Sequence, residues 1–304
     1  MKRFIVRVLL FFLIVAAIDF VVGQLGDYLQ SHAKGGSTRA LNDLVMNDSH
    51  DILIMGSSRA LHHYDAPFLS DTLGLDVYNA GYDGNGIVLA YGLLEMMLER
   101  YQPKLILFDV EPAFDINVYK NDNNNKRYIS RIKPYYKNHK VGEIIKDVSV
   151  LEWYKVHSGL LRYNSKFFTM AFDNFIKRSM PLSGYNPLIG IYNDNIEDSK
   201  SQIAKIDTFK LKYMEKLISM AKTNEIPLVV VASPKYGTKS SVGLLPVIDL
   251  CKMHNVRFFD FYADKTFMQH KEWFKDPMHL NHDGARIFTK DIAEEIKKII
   301  ETQR

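Results

Sequence analysis

The sequence predicts an α/β fold built on a doubly wound, mostly parallel sheet of five strands. Three observations lead to this class: apolar runs of strand length recur along the chain, stretches with helical periodicity lie between most of them, and glycine-rich or polar turns follow several runs. Strands that alternate with helices form parallel sheets, because each crossover returns the chain to the same end of the sheet.

Five short apolar runs are the predicted strands. They are shorter than ordinary core helices and consist mostly of residues that favour strands buried on both faces. The runs cover residues 52–55, 77–78, 104–110, 227–232 and 256–261.

Four longer stretches have the periodicity of amphipathic helices, at residues 86–101, 207–221, 242–254 and 284–300. In the last stretch an apolar stripe is formed by Ala285, Phe288, Ile292, Ile296 and Ile299. A helix with one such stripe buries it against a sheet. We therefore expect helices on both faces of the sheet.

The alternation of strands and helices breaks between residues 112 and 205. This region predicts a helical insertion between the third and fourth strands, and we expect it to form a cap over the site because loops at the carboxyl ends of strands carry function. From Lys120 to Lys140 there are seven Lys or Arg residues and one Asp, a net charge of +6. Such a run indicates a solvated surface or attraction to an acidic envelope polymer or lipid headgroups.

The first 23 residues predict a transmembrane anchor or a signal peptide. Basic residues precede an apolar stretch, and residues 4–22 give about 19 positions if Arg7 and Asp19 lie near the two membrane faces. This favours an uncleaved anchor, whereas Ala17 and Gly23 keep a cleaved signal peptide as an alternative, and a buried core helix is a third. The positive-inside rule places the folded part outside the cytoplasm, on the periplasmic or extracellular side.

Residues 24–50 are polar and predict a tether or leading helix, so residues 51–304 are expected to form one domain that carries the insertion. The chain of 304 residues has 47% hydrophobic and 24% charged residues, which is a globular composition and excludes disorder and a polytopic membrane protein. A net charge of +4 is too small to predict nucleic acid as a partner. The single cysteine, Cys251, excludes an internal disulfide and multi-cysteine metal sites. No cluster of His, Asp and Glu residues has the spacing of metal ligands, so we expect neither a metal nor a cofactor.

The turn after the first predicted strand contains a candidate nucleophile. It reads Gly56, Ser57, Ser58, and the next helix begins there. A serine at a helix N-terminus lies beside free backbone amides, including its own, that can bind the oxyanion formed during acyl transfer. A serine that merely caps a helix is the alternative.

The second predicted strand leads into a glycine-rich turn, and Gly84 is a candidate second oxyanion donor because glycine allows an amide to approach a substrate closely. A plain glycine turn is the alternative. The glycine spacing does not match a dinucleotide-binding fingerprint.

Asp276 and His279 stand before the last helix, and Pro277 stiffens the turn between them. An Asp three residues before a His can hold one imidazole nitrogen while the other faces a nucleophile. The pair thus predicts a base with its orienting acid.

Together these three blocks resemble the SGNH (GDSL-type) hydrolases, in particular the envelope-anchored branch with the DltD-like and alginate-acetylation proteins. The resemblance covers about residues 51–110 and 226–300 and implies a flavodoxin-like sheet. Ser57 replaces the Asp of the family's Gly-Asp-Ser motif.

The resemblance implies roles for individual residues: Ser58 as nucleophile, the amides of Ser58 and Gly84 in the oxyanion hole, His279 as base and Asp276 as its partner. The family's third block, Gly-x-Asn-Asp, has no matching asparagine here, and Asn85 or Asn117 are the candidate replacements.

Four further residues are candidate substrate contacts because they follow predicted strands. Glu111 and Asp115 come after the third strand, with a solvated helix start as the alternative, and Ser233 and Tyr236 come after the fourth. His62 and His63 are expected on the exposed side of the helix that follows Ser58.

The predicted function is a membrane-tethered serine esterase or O-acyltransferase outside the cytoplasm, acting on short acyl esters, with acetyl esters of an envelope glycan implied by the resemblance. The alternative is a non-catalytic envelope protein of the same fold that binds a glycan or a membrane acyltransferase partner.

Overall fold

The computed structural model describes residues 1–118, 125–164, 166–176, 179, 181–193 and 205–302. The chain forms two compact units. The sheet unit comprises Ser49–Asn124 with Pro181–Arg304, and the helical unit comprises Met1–Asp48 with Asn125–Met180.

Five strands form one parallel sheet in the order β2-β1-β3-β4-β5, which confirms the predicted sheet. A separate antiparallel pair, β6 and β7, carries the candidate histidine. The strands are β1 Ile52–Gly56, β2 Val77–Gly81, β3 Leu105–Asp109, β4 Leu228–Ala232, β5 Arg257–Asp260, β6 Phe274–Asp276 and β7 His279–Leu280.

Fourteen α-helices lie in the described part of the chain. They are α1 Lys2–Ser31, α2 Gly36–Asn42, α3 Ser58–His63, α4 Ala66–Leu73, α5 Ile87–Met97, α6 Pro112–Asp115, α7 His139–Val148, α8 Val150–Lys155, α9 Gly159–Tyr163, α10 Phe167–Phe175, α11 Thr208–Thr223, α12 Leu245–Met253, α13 Lys265–Gln269 and α14 His282–Thr302. Short turns of 3₁₀ helix occur at Asn125–Ile129, Lys133–Tyr135, Leu182–Gly184, Val242–Leu244 and Lys271–Trp273, and one π-helical turn at Asp43–Asn47.

Both faces of the sheet are covered, because every residue of β1, β3 and β4 is buried and successive side chains of a strand point to opposite faces. On one face, Ile52 and Ile54 pack in a cluster with the apolar stripe of α14. The five predicted stripe residues of α14 are all buried. Burial of each large apolar side chain contributes about 1.5–3 kcal/mol, so this stripe fixes α14 on the sheet.

The insertion predicted at residues 112–205 is divided between the two units. Its ends belong to the sheet unit, where an isolated antiparallel bridge joins Asn117 to Ile206. Its middle, Asn125–Met180, packs with the amino-terminal helices. The expected position of the insertion over the site stays a prediction, and the run from Lys120 to Lys140 lies partly outside the described residues.

The helical unit begins with α1, which is long and apolar enough to span a membrane, with a mean hydropathy of 2.8 over its most apolar 18 residues. The next segment, predicted as a tether or leading helix, is largely helical. It buries Leu29, Leu41 and Leu44, so it is packed structure and not an extended tether.

Candidate active site

Ser58 lies at the tight turn where β1 passes into α3. Gly56 in this turn has φ of +143°, and a Cβ there would lie 2.5 Å from the carbonyl oxygen of Asp109, so only glycine fits. Ser57 caps α3, since its hydroxyl accepts a hydrogen bond from the Arg59 amide. Ser58 is the first residue of α3 and is partly exposed.

The β6–β7 turn positions Asp276 and His279. Asp276 Oδ1 accepts hydrogen bonds from the amides of Met278, at 2.7 Å, and of His279, at 3.0 Å. The other carboxylate oxygen, Asp276 Oδ2, lies 2.9 Å from His279 Nδ1. An ionised carboxylate only accepts hydrogen bonds, so Nδ1 carries the proton and Nε2 has a free lone pair.

His279 Nε2 lies 2.9 Å from Ser58 Oγ, although the two residues are 221 positions apart in the sequence. The structure therefore brings together the three residues that the sequence singled out, in the order carboxylate, imidazole, hydroxyl. This arrangement can deprotonate a serine for attack on an acyl carbon.

The charge state of Asp276 suits this arrangement. Partial burial acts to raise the pKa of Asp276, but the hydrogen bond and charge of His279, with the two backbone amides, outweigh burial and lower that pKa below its usual value. The carboxylate remains ionised at neutral pH and can stabilise an imidazolium on His279.

The turn after β2 begins beside the serine turn, because β1 and β2 are neighbours with Gly56 and Gly81 in register. Gly84 has φ of +64°, the left-handed conformation that favours glycine, and no atom lies within 4 Å of where its Cβ would be. Glycine is therefore favoured here by its backbone conformation and not by a close contact, and the oxyanion role of the Gly84 amide stays a prediction. Asn85 is buried and donates to the carbonyl of Asp83 at 2.8 Å, so its amide is already bonded within the turn.

Three predicted substrate contacts are instead buried supports of the site. Ser233 and Asp115 have no exposed surface, and Glu111 is 2% exposed. Asp115 accepts hydrogen bonds from the amides of Ile87, at 2.7 Å, and Glu111, at 2.6 Å, and so holds two chain segments together. The solvated helix start considered for these acids is wrong, because both are enclosed and bonded.

Tyr236 and Asn117 are only partly buried. The Tyr236 amide donates to the carbonyl of Pro277 at 3.0 Å, and the Tyr236 ring packs against Phe274. Tyr236 therefore borders the Asp276 turn, and its role as a substrate contact stays a prediction. The carbonyl of Asn117 accepts a hydrogen bond from Lys210 Nζ at 2.6 Å. The oxyanion role of Asn117 also stays a prediction.

The expectation that His62 and His63 are exposed is wrong, because both side chains are buried. His63 Nε2 accepts a hydrogen bond from the Leu280 amide at 3.0 Å, and Nδ1 bonds Ser233 Oγ at 2.8 Å. Burial lowers the pKa of His63 well below its usual value, and the charge of Arg59 lowers it further. The neutral ring thus links the helix that carries Ser58 to the strand that carries His279.

His62 lies at the edge of the same site. Its Nε2 is 3.0 Å from Asp83 Oδ1 and its Nδ1 is 2.5 Å from the carbonyl of Asn186. Its ring meets His279 edge to face with centroids 5.6 Å apart. His62 therefore braces one side of the His279 ring.

A buried ionic cluster around Arg59 lies beneath the serine, and sequence reasoning missed it. Arg59 bonds Glu111 Oε2 at 2.7 Å and Ser233 Oγ at 2.9 Å, and it lies 3.9 Å from Asp109. Burial raises the pKa of Asp109, and the Tyr64 hydroxyl donates to its carboxylate at 2.5 Å. The available signal was three charged residues within or shortly after the ends of buried strands, namely Arg59 after β1, Asp109 at the end of β3 and Glu111 just beyond it. Such charges must pair when they are enclosed.

Within the described residues there is no group of three or more His, Cys, Asp or Glu side chains that could hold a metal ion.

A protein-family model without a functional description matches residues 164–301, which is less than half of the chain. No curated protein matches the sequence.

The solved structures that are similar to this chain include the following two. One is provisionally described as a platelet activating factor from Streptococcus pneumoniae, with 12% identity and a TM-score of 0.44 over 91% of this chain and 98% of the other. The second is a gut microbial diltiazem-metabolizing enzyme, with 10% identity and a TM-score of 0.41 over 80% of this chain. The match spans just under half of that enzyme, 46% of its length. At such identities and scores these likenesses assign no activity to this chain.

Proposed function

We propose that this protein is a membrane-tethered serine esterase or O-acyltransferase that works outside the cytoplasm on short acyl esters, with acetyl esters of an envelope glycan as the substrate class. The observation that carries the proposal is the chain of hydrogen bonds from Asp276 through His279 to Ser58, with 2.9 Å between His279 Nε2 and Ser58 Oγ. The glycan, the acetyl group and the SGNH family come from the sequence resemblance alone.

The first half of the proposed reaction transfers the acyl group to the enzyme. His279 Nε2 takes the proton of Ser58 as Oγ attacks the ester carbonyl, and the new bond between oxygen and carbon creates a tetrahedral oxyanion. The bond to the leaving alcohol then breaks, and the alcohol oxygen takes the proton from His279. Asp276 stabilises the imidazolium during both steps.

The second half releases the acyl group from Ser58. A water molecule or a sugar hydroxyl loses its proton to His279 and attacks the acyl carbon, and Ser58 Oγ leaves and recovers the proton. Water yields a free acid, whereas a sugar hydroxyl yields a new ester. The choice of acceptor therefore distinguishes an esterase from an acyltransferase.

The oxyanion is assigned to the amides of Ser58 and Gly84. Ser58 begins α3, so its amide is among those without a partner inside the helix. Gly84 lies in the turn that follows the neighbouring strand. Because one oxyanion donor typically contributes about 2.7–4 kcal/mol, a site with two donors and no asparagine would be slower than a site with three.

A fluorophosphonate probe tests the proposal, since it reacts with activated serines. We expect full-length wild type to be labelled in detergent or vesicles, Ser58→Ala to be unlabelled and His279→Ala to be labelled far more slowly. Ser240→Ala is the matched control, because Ser240 is an exposed serine of the same unit. Unlabelled wild type would favour the alternative, a protein that binds a glycan or a membrane acyltransferase without catalysis.

Substrate class is tested with p-nitrophenyl esters of increasing chain length and with acetylated glycans. A burst of nitrophenol before steady turnover would report an acyl-enzyme on Ser58. We expect acetyl esters to react faster than long-chain esters, and transfer to a sugar would appear as a new ester on an added acceptor glycan.

A further inference from the structure

The apolar helix α1 contains a carboxylate that caps another helix. Asp19 accepts hydrogen bonds from the Ser158 hydroxyl, at 2.5 Å, and from the amides of Gly159, at 3.1 Å, and Leu160, at 2.9 Å. These groups belong to the first turn of α9. An acid within an apolar span is costly unless it is paired, and the start of α9 supplies this pairing.

Close backbone packing continues this contact along α1. A Cβ on Gly159 would lie 2.4 Å from the Cα of Gly23, so the two backbones touch, as in the small-residue contacts of membrane helices. Further along, Asp27 accepts hydrogen bonds from Arg162, at 3.0 Å, and from the Tyr163 hydroxyl, at 2.6 Å. The whole of α9 is therefore fixed to α1.

The position of Asp19 sets the depth of α9. Residues 4–22 form about 27 Å of helix at about 1.5 Å per residue, close to the thickness of about 30 Å of a hydrocarbon core. Asp19 lies three residues, or about 4.5 Å, before the end of this stretch. If α1 spans the bilayer, the first turn of α9 lies at the outer boundary of the hydrocarbon core.

Large apolar side chains are exposed on the helices next to this boundary. Leu160 and Leu161, beside the Asp19 cap, are 40% and 51% exposed. The helix α10 is also held on α1, because Asn174 Nδ2 donates to the carbonyl of Leu29 at 2.7 Å. The apolar patch of α8 to α10 is defined as Val150, Leu151, Tyr154, Leu160, Leu161, Phe168, Phe172 and Phe175.

The aromatic part of this patch lies on one side of α10. Phe168, Phe172 and Phe175 follow the spacing i, i+4, i+7, which places them along one helix face, and Phe175 is 84% exposed. Exposed apolar patches of this kind mark interaction surfaces. Lipid is the occupant that fits, because α9 and α10 are held on α1, whose most apolar 18 residues are unburied.

We propose that α8 to α10 form a membrane-inserted platform on the outer leaflet, in which Leu160 and Leu161 enter the acyl-chain region and the phenylalanines of α10 lie at the interface. The platform requires that α1 is retained, so it also assigns α1 as an uncleaved anchor. It is independent of the proposed reaction at Ser58.

Depth-dependent fluorescence quenching tests this platform in the full-length chain. The native cysteine is first removed by Cys251→Ser. One new cysteine is then introduced by Leu160→Cys, Leu161→Cys or Phe172→Cys, and an environment-sensitive dye is attached to its thiol. The matched control is Glu143→Cys, because Glu143 is an exposed charged residue of the same unit. Each protein is reconstituted alone in phosphatidylcholine and phosphatidylglycerol vesicles, with or without bromine on the acyl chains.

We expect blue-shifted emission at positions 160 and 161, loss of most of that emission in brominated vesicles, and weaker quenching at 172. The control should emit as in water. Emission like that of the control at both 160 and 161 would overturn the platform. Blue-shifted emission that brominated lipid does not quench would also overturn it. So would blue-shifted emission that is seen in native membranes but not in the vesicles, since both results indicate a protein partner instead of lipid. Recovery of the mature protein at a mass without α1 would also overturn it.

Discussion

Replacement of Asp276 by Asn tests whether the carboxylate fixes the tautomer of His279. Asp276 Oδ1 already accepts two backbone hydrogen bonds, from Met278 and His279, so the remaining oxygen of an Asn is drawn to that position. Its NH₂ group then takes the place of Oδ2, which lies 2.9 Å from His279 Nδ1. A donor there favours an accepting Nδ1 with the ring proton on Nε2, while Oδ1, 3.0 Å from Nδ1, remains a competing acceptor.

A proton on Nε2 faces Ser58 Oγ and removes the base from the reaction. In the serine-protease template this change of tautomer lowers the rate by about 10⁴-fold. The Asp276 side chain is 44% exposed here, so water competes for the new amide and softens the effect. We therefore expect a decrease of about 10² to 10⁴-fold, or about 2.7–5.4 kcal/mol of transition-state stabilisation.

The assay is the second-order rate of fluorophosphonate labelling at pH 7, checked against turnover of p-nitrophenyl acetate. Asp283→Asn is the matched control, since it makes the same chemical change at an exposed position nearby. A rate for Asp276→Asn within tenfold of wild type would show that the carboxylate does not set the tautomer, and would refute the reasoning from this geometry.

Three further changes probe the support beneath the site. His63 stays neutral when buried and has a lowered pKa, so its contribution to stability is complete above about pH 6.5 and is lost as the pH falls towards the folded pKa. Between pH 6.5 and 5, this linkage makes the free energy of unfolding of wild type fall with falling pH by up to about 1.4 kcal/mol per pH unit. We expect His63→Asn to lack this dependence when the free energy of unfolding is measured in urea, and the same slope in wild type and variant would contradict this. Glu111→Ala removes the nearer carboxylate of Arg59 and leaves Asp109, 3.9 Å away, as the remaining acidic partner, so it should lower the free energy of unfolding in urea by up to about 3–5 kcal/mol. Glu111→Gln should cost less, and equal losses would argue against the ion pair. Gly56→Ala places a Cβ 2.5 Å from the Asp109 carbonyl oxygen, and we expect a lower thermal midpoint, with an unchanged midpoint as the contrary result.

The strands could be predicted because their burial leaves a pattern in the local sequence. A strand covered on both faces is a short continuous apolar run, and four of the five runs predicted strands whose ends differ from the structure by only one residue. The exception is β2, where the apolar run predicts 77–78 and the strand continues to Gly81. Its last residues are small or polar, and only pairing with β1 makes them a strand.

The candidate catalytic residues could be proposed because ligands of an open parallel sheet bind at the carboxyl ends of the strands. This rule selected Ser58, and the spacing of Asp276 and His279 selected the turn before α14. The roles of the supporting residues could not be derived in the same way. Ser233 and Glu111 follow strands like true substrate contacts, and their enclosure depends on Arg59, which comes from another segment.

The sequence alone determined the alternation of strands and helices, the apolar anchor candidate and the residues that could form a catalytic centre, because these depend on periodicity and on groups close together in the chain. Tertiary structure decided that His279 reaches Ser58, that His63 and Arg59 are enclosed, and that Asp19 caps α9. The physical reason is that the state of a polar side chain depends on its partners and on solvent exposure. Both come from segments that are distant in the chain, so local sequence patterns do not reveal them.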